Sequence, residues 1–69
     1  MSKYRLKAPM RAVWHQPEGG QMSVTLPAEV VLHYLRRSSV GVIDVSCEGR
    51  EYSILEKDLD QNGERIENA

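Results

Sequence analysis

Ala28-Glu29-Val30-Val31-Leu32-His33-Tyr34-Leu35 is the stretch on which the fold turns. Pro27, just ahead of it, sits where a helix can begin, because its missing N–H falls among the unpaired donors of a first turn. Val30, Val31 and Tyr34 argue the other way, since β-branched and aromatic side chains fit a pleated surface. The stretch is also too short, between Pro27 and the loop-like Arg36-Arg37-Ser38-Ser39, for a well-buried helix. We read a diverging turn at Pro27 followed by a strand. A helix over residues 28–37, packed on a four-stranded sheet, is the alternative that would change the fold.

On either side of this stretch, side chains alternate at period two, the signature of half-buried strands. Met10, Ala12 and Trp14 form one apolar face of a strand over residues 8–16. Pro17-Glu18-Gly19-Gly20 breaks it, and Met22, Val24 and Leu26 define the next. After Gly41, residues Ile43, Val45 and Cys47 alternate with Asp44 and Ser46, and Glu48-Gly49-Arg50 closes a hairpin onto Glu51-Tyr52-Ser53-Ile54-Leu55. Lys57-Asp58-Leu59 fits one helical turn with Leu59 plugging an end of the core. Asn62-Gly63 reads as a turn, and Arg65-Ile66 as a last short strand. The class is all-β: a small barrel of five to six strands over residues 8–66, with a basic arm at 1–7 and a frayed end at 67–69. The arm is either a tail or a first strand that needs a partner.

A chain of 69 residues has room for one small core. A domain this size hides only about 60% of its unfolded surface, so its margin is thin. Cys47 is the only cysteine, which excludes an internal disulfide and argues against a cysteine-based zinc site. Oligomerisation is the remaining common route to extra burial. No apolar run nears the ~20 residues of a membrane span. Met1-Ser2-Lys3-Tyr4-Arg5 leads into no apolar segment, so a secretory signal is not expected. With one unpaired thiol, this points to a cytoplasmic setting. The net charge of −1 conceals an asymmetry: residues 1–37 are basic by four charges and residues 38–69 acidic by five.

Candidates for chemistry are sparse. His15 and His33 lack a ligand spacing and are expected as solvated outer-face residues. Cys47 continues the Ile43–Val45 face and is expected as a buried thiol, not a nucleophile. Asp44, Glu48 and Glu51 read as a solvated hairpin surface. Asp58-x-Asp60-x-Asn62-Gly63 reproduces the opening of a calcium loop, but Ala69 stands where the bidentate glutamate is required. We assign no catalytic residue, no metal and no cofactor. Lys3, Arg5, Lys7 and Arg11, alternating with Tyr4 and Leu6, form either a nucleic-acid surface or an edge strand protected by charge.

Over residues 8–66 the order of features resembles the SH3-like barrels, including the reduced bacterial kind. Ala12-Val13-Trp14-His15 resembles their opening strand, and residues 22–31 their second strand, diverging turn and third strand. Gly41-Val42-Ile43-Asp44-Val45 with Gly49-Arg50-Glu51-Tyr52 is similar to their central hairpin. Leu55-Glu56-Lys57-Asp58-Leu59 stands where such domains place a helical turn before the last strand. The aromatic groove that grips polyproline helices in eukaryotic SH3 domains has no counterpart here. Val42-Ile43 opens the strand that carries tryptophan there, and the chain has no Phe.

The expected function is therefore a non-catalytic interaction module, with a protein partner or a second copy of itself, and no membrane. Trp14 and Tyr34 are the anchors if exposed. The second reading is a nucleic-acid-binding barrel that uses Lys3, Arg5, Lys7, Arg11, Arg36 and Arg37.

Overall fold

The computed structural model describes residues 2–66. They form seven strands and one helix: β1 (Lys3–Leu6), β2 (Met10–His15), β3 (Gln21–Leu26), β4 (Val31–Ser39), β5 (Val42–Cys47), β6 (Arg50–Leu55), α1 (Glu56–Asn62) and β7 (Gly63–Ile66). The residues at 67–69, expected to fray, lie outside the described residues. The strands make one antiparallel sheet in the order β3-β2-β6-β5-β4-β1-β7, and the sheet is not closed. The all-β class holds. The strand count exceeds the expected five to six, because residues 3–6 of the basic arm add a strand. No described helix is long and apolar enough to cross a membrane.

The decisive stretch is strand. Pro27 starts the turn, Glu29 takes a left-handed φ of 77°, and its N–H donates to the Leu6 carbonyl at 2.8 Å. β4 then runs further than expected, through Arg36-Arg37-Ser38-Ser39, which the sequence had as a loop. Pairing with β5 explains the extension: β4 shifts register between Tyr34 and Arg36 and again between Arg37 and Ser39. Extra residues of this kind bend a strand without ending its ladder. A loop-like composition is tolerated because much of this segment is exposed.

β1 is a correction of another sort. It lies between β4 and β7, pairing with both, so its lysine and arginine do not protect an edge. Leu6 is wholly buried and sits with Leu32 and Val45 among the largest fully buried side chains. The core lies on the face carrying Met10, Ala12, Ile43 and Val45, as the alternation predicts, together with Tyr52 and Ile54.

Hairpin turns and the helix follow local chemistry. At Glu48-Gly49 both residues have positive φ, 52° and 82°, the pair that a two-residue turn matched to strand twist requires. α1 has seven residues, too few to be stable alone, and Leu59 anchors it in the core. Glu56 and Asp58 in its first turn suit the positive end of the helix dipole, and the Glu56 N–H donates to the Gly41 carbonyl at 2.9 Å. Gly63 does not form the expected turn. It is extended and starts β7 directly, and a Cβ there would come within 2.6 Å of Leu59 Cδ1 and 2.7 Å of the Leu59 carbonyl oxygen.

Candidate functional site

Polar side chains from four strands converge on the face opposite the core. Cross-strand register places Val13 opposite Ser53, Ser53 opposite Asp44, and Asp44 opposite Arg36. His15, two residues along β2, reaches Ser53 diagonally, its Nε2 lying 2.6 Å from Ser53 Oγ. Ser53 donates to Asp44 Oδ1 at 2.7 Å. Asp44 Oδ2 pairs with Arg36 Nε at 3.2 Å, and Arg36 also pairs with Glu51 at 2.7 Å. Asp44 is 6% exposed and is the one buried charged residue among the described residues. The expectation of a solvated Asp44 is thereby corrected: its neighbours lay their side chains over it. The bulge at Leu35 is what turns Arg36 toward Asp44, since Tyr34 pairs with Val45 and Arg36 with the next residue.

The order within this chain decides what it can do. Ser53 stands between His15 and Asp44 and is hydrogen-bonded to both. A serine nucleophile needs the histidine between hydroxyl and carboxylate, with a bare ring nitrogen toward the hydroxyl. Here serine is in the middle, between the histidine and the carboxylate. No buried side-chain polar atom is left unpaired among the described residues.

Among the expected binding residues, three arginines are held in ion pairs. Arg5 pairs with Glu64 at 2.7 Å, Arg36 with Asp44 and Glu51, and Arg37 with Glu56 at 2.8 Å. Each of these arginines comes from the basic half of the chain and each acid from the acidic half, so folding interleaves the charge that the sequence segregates. The hydrogen bond and charge of Glu64 hold the Arg5 guanidinium more firmly protonated. Lys7 is exposed, and its backbone N–H donates to the Asn62 carbonyl at 2.6 Å. Trp14 and Tyr34 are partly buried against the core, and the Arg50 guanidinium lies 4.7 Å from the Trp14 ring centroid. Arg11 lines an open groove of about 330 Å³ with Val13, Ser53, Leu55 and Asp58. That groove opens where β2 and β6 part beyond the Val13–Ser53 pair, the last pair of their ladder toward Arg11.

Two small motifs also find their places. Asp58, Asp60 and Asn62 are wound into α1, where alternate residues point to different sides, so they do not encircle a cation. Among the described residues, no cluster of three or more His, Cys, Asp or Glu is positioned to hold a metal. Cys47 is buried, and burial, with a smaller contribution from the Glu48 charge, pushes its thiol pKa up. Less thiolate is then present at neutral pH, and the thiolate is the reactive form. Alkylation of native Cys47 by iodoacetamide is expected to run at least about a hundredfold slower than in urea, because it waits on opening. Fast labelling of the native chain would contradict this burial. The unfolded thiol ionises first as pH rises, so stability should fall through the alkaline thiol range.

The open sheet has two edge strands, β3 and β7. Gln16 N–H donates to the Gly20 carbonyl at 2.9 Å, which makes Gln16–Gly20 a bonded pair of the β2–β3 hairpin. Bonded pairs recur every second residue, so Trp14–Met22, Ala12–Val24 and Met10–Leu26 are bonded as well. Gln21, Ser23 and Thr25 therefore turn their N–H and C=O groups outward, and all three are exposed. No protein-family model, curated protein or solved structure matches the chain.

Proposed function

We propose that this protein is a small non-catalytic interaction module that takes a partner's strand onto the β3 edge. The observation that carries this reading is the edge itself. β3 has six residues, Gln21–Leu26, with no charge, no proline and no register shift. These are the devices by which edges are ordinarily kept from pairing. The opposite edge, β7, has four residues and carries Glu64 and Arg65. Strand addition takes its affinity from main-chain hydrogen bonds, and β3 offers them unprotected. The strand order and the helix before the last strand support an SH3-like assignment, with a barrel left open at β3. Ion pairing of Arg5, Arg36 and Arg37 weighs against a nucleic-acid surface, since paired arginines release fewer counterions.

A photo-crosslinking side chain at Gln21 tests this in cells that make the chain. Discrete adducts are expected at Gln21, their loss in a Thr25→Pro background, and none from the same group at Arg65 on β7. Adducts that persist unchanged in Thr25→Pro, or the lack of any, would overturn the reading.

A further inference from the structure

We infer that the strand received by β3 is the β3 of a second copy of this chain, antiparallel, with Ser23 opposite Ser23 across a two-fold axis. The inference rests on the strand-addition reading above and names its partner. The outward groups fall at Gln21, Ser23 and Thr25, evenly spaced about Ser23. A two-fold axis through Ser23 sets Gln21 against the second copy's Thr25, and each outward N–H and C=O then meets a partner. A slip of two residues either way would leave an outward residue of each copy unmatched. Antiparallel partners present opposed residues to the same face, so the core side brings Met22 against the second copy's Val24. Met22 is 49% exposed, the reverse of what its place on the apolar face of β3 calls for. The second copy covers it.

Charge permits this seam. No Lys, Arg, Asp or Glu lies in β3, and each copy has a net charge of only −1. An isologous contact repeats every residue across the axis, so a single charge at Ser23 would face itself. A single pair of six-residue strands falls short of the ~1,200 Å² of a stable interface, so the dimer is a weak one.

Sedimentation equilibrium of the full chain, from about 1 µM to about 1 mM, tests the proposal. The wild type should shift from monomer to dimer within that range. Ser23→Lys and Ser23→Glu should each weaken association at low salt by at least about tenfold, because like charges then face each other across the axis. Ser23 is exposed, so both variants should keep the wild-type circular dichroism. Mixing the two should restore the dimer, because Lys and Glu then face each other across the axis. A wild type that stays monomeric, a Ser23→Lys variant that dimerises as tightly as wild type, or a mixture no better than its components would overturn the proposal. A monomeric chain that still gives Thr25-dependent adducts at Gln21 would remove self-pairing and leave strand addition standing.

Discussion

Leu6→Ala should cost about 2–5 kcal/mol, the range for truncating a fully buried leucine. The side chain has no exposed surface, and β1 is held from both sides by β4 and β7. Backbone contacts reinforce the position: Leu6 N–H donates to the Val30 carbonyl at 3.1 Å, and its carbonyl accepts from Glu29 at 2.8 Å. A domain of this length holds a total of roughly 3–10 kcal/mol, so one substitution can remove most of it. In thermal unfolding the midpoint should fall by at least about 10 °C. Arg5→Ala, one residue earlier, should leave the midpoint close to wild type, because the Arg5–Glu64 pair is solvent-exposed at both ends. If Leu6→Ala proved as mild as Arg5→Ala, residues 3–6 would be an appended arm and not an interior strand.

Asp44→Ala is expected to cost about 1–3 kcal/mol, because it leaves the half-buried Ser53 hydroxyl without its acceptor. The loss falls on Ser53, whose hydroxyl donates to Asp44, and through Ser53 on His15. Little of it should come from Arg36, which is more than half exposed and keeps Glu51. The sign of the coupling is the sharper test. Ser53→Ala added to Asp44→Ala removes the stranded hydroxyl, so the double variant should be more stable than the sum of the two singles implies. Urea unfolding of the four proteins measures this. Strict additivity would mean that the His15–Ser53–Asp44 row does not act as a unit.

The two substitutions mark where local sequence stops being sufficient. The Met10, Ala12, Trp14 face and the Ile43, Val45, Cys47 face were legible because strand geometry alone sends alternate residues to one side. Glu48-Gly49 was legible as a turn because its backbone requirement is local, and Pro27 for the same reason. The strand at β4 was legible in type but not in length. Arg36-Arg37-Ser38-Ser39 carries the composition of a loop, and only its ladder with β5 keeps it extended. The row of His15, Ser53, Asp44 and Arg36 could have been half anticipated, since each residue stands at an outward position of its strand. Which outward residues meet depends on register between strands up to 38 residues apart.

By itself the sequence determined the all-β class, the core faces of β2 and β5, the turns at Pro27 and Gly49, and the burial of Cys47 and Leu59. Those properties follow from side-chain periodicity and from backbone preferences that act over a few residues. Tertiary structure alone decided that residues 3–6 form an interior strand, that a bulge turns Arg36 onto Asp44, and that β3 is left at an open edge. The physical reason is the range of the interactions. Pairing energy between distant strands is set by complementary hydrogen bonds and buried area summed over the whole sheet, and no short window of sequence contains that sum.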